Sequence, residues 1–370
     1  LLWVVWLASG MAMLFQYLSG KLGIAGYSLP ELVKEKLKNK WLVLSYWILA
    51  EIVILATDLA EFLGIVVALN LLFGIPLLWG TYIAVADVLI ILLLTQKKFR
   101  TLEQSFIIFV SVIGFGYVYE LFITKPDMSS ILLHSVKPIL TSQSALIAVG
   151  IIGATVMPHA LFVHSWLIKN KIINANFGSK LKTLKYHLID NVVSLTIAGF
   201  INAAIIIMSA AAFYKAGIEV ATLDQAYKTL IPLFGNFAAV VFALALLSAG
   251  ISSSVTGTLA GQSVMDGLTG FKISLWVRRL ITRFINVIPV TIAVLLGIEP
   301  LKILVLSQVA LSLLIPLPLI PLIIYTSDKA IMKELVNKKI TNVFAVIFAI
   351  VILGFNAYLL YQLIFQGVGI

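Results

Sequence analysis

Apolar positions in this chain come in long blocks, and the polar ones gather in the short stretches between them. The runs Val88 to Leu94, Ala145 to Val156 and Val343 to Leu353 lie inside low-charge stretches of about 20 residues, the length that crosses hydrocarbon as a helix. Ten such blocks predict ten spans, at residues 1–19, 41–70, 74–95, 103–124, 143–168, 188–213, 232–264, 281–298, 301–325 and 341–365. The dyad alternation of barrel strands is absent, so the expected fold class is an all-α membrane protein.

The charges between the blocks are unevenly shared. If the first span runs from outside to inside, 21 of the 26 Lys and Arg fall in one set of loops and span ends, and 5 in the other. The positive-inside rule makes the richer set cytoplasmic, and the clean alternation supports the span count. Both ends of the chain then face outward. The first residue, Leu1, already sits in an apolar run with no charged leader, so the start reads as a truncation. A further helix upstream is expected, which makes eleven.

Composition agrees: 61% hydrophobic residues, 11% charged residues and a mean hydropathy of +1.09 belong in a bilayer. The net charge of +10 does not indicate nucleic acid, because the basic residues cluster in loops between spans rather than on an aromatic-interleaved surface. With no cysteine, disulfides, thiolate metal ligands and a catalytic thiol are excluded. No phosphate-cradling loop and no soluble catalytic domain are present, so the chain is not expected to be an enzyme.

Transporters built from inverted five-helix repeats place their substrate where a helix breaks at the midplane, so a proline-interrupted span is the feature to seek. The fifth block supplies it in GIIGATVMPHALFVHSWL, Gly150 to Leu167. Pro158 lacks an amide hydrogen and frees a carbonyl near Ala154, which in hydrocarbon calls for a cavity or an ion. Met157 stands three residues on, on the same helical face, so an oxygen and a thioether sulfur could converge on one cation. Such a pair favours manganese, iron, cobalt or cadmium over calcium and magnesium. An ordinary proline kink with Met157 as filler explains the same spacing. His159 and His164 are ionisable groups in a span, candidates for a proton route or for interhelical hydrogen bonds; on an unbroken helix His164 shares a face with Met157 and His159 does not.

In the second block, AEIVILATDLAEFLG, the residues Glu51, Asp58 and Glu61 fall within an arc of roughly 80°, a carboxylate stripe that must be protonated, paired or hydrated. Arg278, Arg279 and Arg283, at the end of the eighth span, are the candidate partners, as a proton relay or as static salt bridges. Asp190 and Asn191 open the sixth span, where they read as a helix N-cap or as functional groups. Ser248 to Gly261 is rich in small residues, which points to close helix packing. Gln308 is a lone intramembrane amide, a ligand, a gate or an interhelical hydrogen bond.

At these residues the sequence resembles the Nramp family of proton-coupled divalent-metal transporters, over nearly its whole length. The resemblance is carried by GATVMPHALFVHS (Gly153 to Ser165), EIVILATDLAEFLGIVVALNLLFGIP (Glu51 to Pro76), TGTLAGQSVMDG (Thr256 to Gly267) and RRLITRFINVIPV (Arg278 to Val290), in the family's order. It implies a LeuT-type inverted-repeat bundle. Residues 1–124 are then the remainder of the first repeat, 143–325 the second repeat, and 341–365 an additional helix. It implies metal at the Ala154 carbonyl, the Met157 sulfur and, in some conformations, Gln308. Protons would move past Asp58, Glu61, His159, Arg278 and Arg279, and the reading of the residues themselves adds Glu51 of the stripe and His164 to that pathway. The family's Asp-Pro-Gly-x-Asn motif, which supplies the hard half of the metal shell, occurs nowhere in these residues, in keeping with an upstream first helix. The seventh span reads GISSS (Gly250 to Ser254) where many relatives carry Gln and Asn.

The expected function is therefore proton-coupled uptake of manganese(II) or iron(II), with cobalt and cadmium as further candidate ions, by alternating access across a prokaryotic-type plasma membrane. The metal is substrate, and no cofactor is expected. The partners are the ion, protons and the lipid bilayer, without nucleic acid; no oligomeric state is legible. A magnesium or calcium carrier on the same scaffold, and a non-transporting sensor or scaffold, are the alternatives.

Overall fold

The computed structural model describes residues 1–89, 99–171, 177–214, 217 and 222–365. Every regular element among them is helical. Local chemistry sets the ends. Helix α1 (Leu2–Ala25) stops at Gly26, whose φ of 109° only glycine adopts readily, with its N–H on the Gly23 and Leu22 carbonyls. The amphipathic α2 (Leu29–Leu37) starts with a Ser28–Glu31 capping box. Asn39 caps α3 (Lys40–Phe73) by accepting from the Trp41 N–H, and Gly74 ends it at φ 66°. Then come α4 (Leu77–Ala84), α5 (Phe99–Thr124) and α6 (Met128–Val136), the last capped by Asp127.

The fifth span is two helices, α7 (Ser142–Val156) and α8 (Pro158–Lys171). After α9 (Phe177–Ser209), with a π turn at Ala210–Tyr214, the chain forms α10 (Leu223–Phe234), α11 (Asn236–Thr269), α12 (Leu275–Leu295), α13 (Pro300–Leu314) and α14 (Pro316–Ser327). The short α15 (Lys329–Met332) leads to α16 (Lys339–Phe365). Among the described residues, seven helices are long and apolar enough to cross a membrane, and Leu77–Leu89 and Ser111–Thr124 are shorter apolar helices. Helix α12, with Arg278, Arg279 and Arg283, falls outside that set.

Some boundaries differ from the sequence expectation. The end of the third expected span, residues 90–95, lies outside the described residues. The seventh begins after a separate α10, because Gly235 at φ 88° turns the chain. The eighth begins at Leu275, which brings Arg278 and Arg279 into the helix beside Arg283 rather than before it. The sixth begins at Phe177, so Asp190 and Asn191 lie well inside α9 and neither is an N-cap. Asn191 Nδ2 instead donates to the Met13 carbonyl of α1 at 2.7 Å, a contact that local capping chemistry does not anticipate.

Helix α1 is the hub of the larger core, packing on α6, α7, α8, α9 and α14. Its Met11, Phe15, Leu18 and Leu22 are fully buried with Ile152, Val156, Leu161 and Phe162 of the broken span. Helix α11 runs along α3 and α5, while α13 crosses α3 and α7. A second cluster joins Phe62, Ile65 and Val66 of α3 to Ala84 and Val290. The bundle's outward faces are strongly apolar, as at Phe115, Phe200 and Ile350, the surface expected against lipid.

Candidate functional site

Two features meet at α3: the break between α7 and α8, and a cluster of buried charges. The break is sharper than a proline kink. Met157 itself leaves the helix, at φ 51° and ψ 85°, a left-handed conformation unusual for a residue with a side chain. Its N–H reaches the Gly153 carbonyl at 3.3 Å, and its own carbonyl accepts from Ala160 N–H at 2.9 Å, starting the next helix. Pro158 then occupies the first position of α8, where a missing N–H costs nothing. It has no hydrogen to give to the Ala154 carbonyl. Ala154 and Met157 are both exposed, in a span otherwise largely buried.

Gln308 is brought close to this break by glycine. A Cβ on Gly153 would run into the Gln308 carbonyl and lie 2.8 Å from the Ser312 nitrogen, and one on Gly150 would lie 3.9 Å from the Gln308 Cβ. Helix α13 therefore packs backbone to backbone on the last turns of α7. The half-buried Gln308 amide donates to Ser307 Oγ at 3.3 Å. Among the described residues no three His, Asp or Glu side chains gather as a metal-ligand cluster. The Ala154–Met157 corner thus offers a carbonyl and a thioether rather than a carboxylate cage.

The carboxylate stripe of α3 faces the arginines of α12. Arg278 pairs with Glu51, and Arg279 with Asp58. Arg283 reaches Asp58 Oδ2 at 3.3 Å, and Asn286 Nδ2 donates to the same oxygen at 2.7 Å. A further carboxylate, Asp87, accepts from Arg279 Nη2 at 2.5 Å and from Arg283 Nε at 3.0 Å, and also pairs with Arg283 Nη2. Both Arg279 and Arg283 are completely buried. Arg283 further sits over the Phe62 ring, its Cζ 4.6 Å from the centroid, a cation–π contact in a dry site. Glu61 stands apart, with Oε2 buried and without a hydrogen-bond partner.

Small residues of α11 make room for this cluster. A Cβ on Gly257 would lie 3.3 Å from Glu61 Oε2, one on Gly250 would lie 2.9 Å from the Glu61 carbonyl, and one on Gly261 would lie 2.6 Å from Arg278 Nη2. His159 joins the two features. Its Nδ1 is 3.0 Å from Thr57 Oγ1, next to Asp58, and Thr57 in turn donates to the Val53 carbonyl at 3.0 Å. With the hydroxyl committed to Val53, the ring nitrogen is assigned as the donor. The unbroken-helix expectation, with His164 on the face of Met157 and His159 turned away, fails because Met157 is not helical. His164 is five residues beyond His159, about 140° around α8, and is half-buried on a different face.

Comparison with known proteins decides the family. The profile described as "Nramp: Natural resistance-associated macrophage protein-like" matches residues 1–362. The chain belongs to the Nramp family. Among its Nramp relatives, "Divalent metal cation transporter MntH" of Verminephrobacter eiseniae is 46% identical over 98% of this chain and 82% of that protein. The protein of the same name from Deinococcus radiodurans is 41% identical over 98% of this chain and 83% of its own length. The crystal structure of the Eremococcus coleocola manganese transporter in complex with an aromatic bis-isothiourea substituted compound superposes with a TM-score of 0.86 and 30% identity, over 96% of this chain and 78% of that one. A point mutant of that transporter gives 0.88 at 28% identity, over 100% and 82%.

Sequence reasoning missed three participants in this Nramp chain. Asp87 carried a usable signal, a single acid in the apolar stretch IAVADVLI, of the kind that normally has a buried partner. Thr57 and Asn286 carried none, since a threonine or asparagine in a membrane helix is ordinarily a packing residue.

Proposed function

We propose that this integral membrane protein is a secondary transporter of divalent transition-metal ions, with manganese(II) or iron(II) as substrate and proton movement coupled to it. The observation that carries the reading is the corner at Met157, where an unpaired carbonyl and an exposed thioether lie at a helix break. Soft sulfur paired with a neutral oxygen discriminates against calcium and magnesium, which prefer all-oxygen shells. The names of the relatives, divalent metal cation transporters and a manganese transporter, support the substrate class. Gln308, on the helix pressed against Gly153, is a third candidate ligand.

For the proton, the reading runs from His159 through Thr57 to Asp58, and along the arginine-paired carboxylates toward Glu51. Glu61, which has an unpartnered oxygen, and His164 are branch groups of the same route. Inverted repeats at 1–124 and 143–325 with an extra helix at 341–365, basic loops on the cytoplasmic side and a prokaryotic-type plasma membrane complete the proposal. A bilayer-spanning bundle with no nucleotide-binding loop has the ion and proton gradients as its drive.

The test is manganese uptake by proteoliposomes holding the full-length protein, with calcium as competitor. Met157→Ala is expected to lose at least tenfold in manganese preference over calcium while uptake remains measurable. An unchanged preference would remove Met157 from the metal shell.

A further inference from the structure

Away from the charge cluster, a groove of about 420 Å³ opens on the outer face of the bundle between α1, α9 and the start of α16. Gly10, Leu14, Tyr17, Leu188, Val192 and Phe348 line it, almost wholly with carbon. Its floor is fixed. The Tyr17 ring stacks on His187 at a centroid distance of 6.0 Å and an interplanar angle of 11°, and Phe348 packs edge-on to the buried Phe15 at 6.4 Å. On α1 a glycine leaves the wall open, since a Cβ added to Gly10 meets no atom within 4 Å.

One end of the groove is basic. Ile340 and Thr341, in the first turn of α16, reach into it, and Lys338 and Lys339 come just before them. On α9, Lys185 lies three residues before Leu188 and therefore on the same face. All three lysines are exposed, and among the described residues none has a carboxylate partner. Asp190, the nearest acid along α9, is about 200° around the helix from Leu188 and faces elsewhere. An apolar channel along a membrane helix, ending in unpaired ammonium groups at the level where spans meet loops, matches one ligand in both halves.

We propose that this groove is a binding site for an anionic phospholipid, with one acyl chain lying along Leu14, Val192 and Phe348 and the phosphate held by Lys185, Lys338 and Lys339. The three lysines belong to the loops richer in basic residues, so the site faces the leaflet where anionic headgroups act most strongly on basic segments. A zwitterionic lipid offers the same chain and no net charge. The site therefore selects by headgroup and retains by chain.

Native mass spectrometry of the full-length protein, titrated with phosphatidylglycerol or phosphatidylcholine in detergent, tests the assignment. Phosphatidylglycerol is expected to stay bound under activation that strips phosphatidylcholine. Neutralising Lys185, Lys338 and Lys339 to Gln should weaken phosphatidylglycerol binding about fivefold for each lysine removed. Gly10→Leu, whose Cβ enters open space and whose branch extends into the groove, and independently Leu188→Trp on the opposite wall, should weaken it too without lowering the melting temperature. Glycerol phosphate, the headgroup without tails, should not compete. Equal retention of the two lipids, undiminished phosphatidylglycerol binding in both groove-filling variants, or displacement by glycerol phosphate would each overturn the proposal.

Discussion

Asp87 offers the sharpest test of how the buried charges are held. In Asp87→Asn one carboxylate is replaced by an amide of nearly the same shape. Arg283 then loses its charged partner at 3.0 Å through Nε, and Arg279 the one at 2.5 Å through Nη2, while both keep Asp58. Breaking a buried pair by removing one member costs about 3–5 kcal/mol. The lower end, about 3 kcal/mol, applies here because Asp58 still serves both guanidiniums and the amide oxygen still accepts one hydrogen bond. For a chain of 370 residues unfolding in one transition, at about 2.1 cal/mol/K per residue, that is a fall in melting temperature of roughly 4 °C. A larger fall follows if only part of the bundle unfolds. The assay is fluorescence-detected thermal unfolding of the purified protein in detergent. The double variant Asp87→Asn with Arg283→Gln removes one charge of each sign and should recover part of the loss, a non-additivity read by the mutant cycle. A melting temperature equal to that of the parent, or strictly additive losses, would show that Asp87 does not neutralise these arginines.

Gly153→Ala puts a methyl group against the α13 backbone at Gln308 and Ser312, neither of which is a flexible side-chain tip, so a loss of about 1–3 kcal/mol is expected in the same thermal assay. An unchanged Gly153→Ala protein would mean that α13 does not press on α7 as closely as described. Outside the spans, burial alone would raise the Glu31 carboxyl, but hydrogen bonds from Lys169 and Ser28 and the Lys169 charge hold it below the ordinary carboxylate range. A depressed folded value means that the stabilisation is present above the unfolded carboxylate range and is lost as pH falls through the folded value. The pair is about a third exposed, so less than about 1 kcal/mol is at stake. The melting difference between the parent and Glu31→Gln should therefore be small at pH 7 and vanish on acidification below the carboxylate range; a difference growing toward acid contradicts the sign. Asp58→Asn, measured in proteoliposomes with an internal pH dye, should reduce metal-stimulated proton influx more than metal binding. Equal influx would take the α3 stripe out of the proton route.

The helical spans and the break were legible because each follows from a single-chain pattern: apolar blocks of membrane length, and a proline where no proline is tolerated without a reason. The acidic stripe was legible for the same cause, since helical periodicity places Glu51, Asp58 and Glu61 on one face. Partner choice was only partly readable. That α12 would serve α3 followed from charge, but which arginine meets which acid depends on the relative height of two helices, and no local rule sets that. Asp87 entered through a third helix, and Asn191 turned from a supposed cap into a tether for α1 because α9 already runs from Phe177, 14 residues earlier. Met157 was picked out for its sulfur, but its left-handed backbone was not foreseen, because a methionine in that conformation has no sequence signature.

The arginines of α12 also constrain how the chain is assembled. A guanidinium in an isolated membrane helix opposes insertion by up to roughly 2.5–3.5 kcal/mol, the full cost at the centre and less toward the ends, and α12 carries three in its N-terminal half, Arg278, Arg279 and Arg283. Their counter-charges, Glu51, Asp58 and Asp87, lie in α3 and the segment following α4, which leave the ribosome first. Helix α12 is thus a poor lodger in lipid by itself and becomes a stable one only beside its earlier-made acidic neighbours. Loss of those acids should show first as failure of α12 to integrate during biogenesis, before any step of transport is reached.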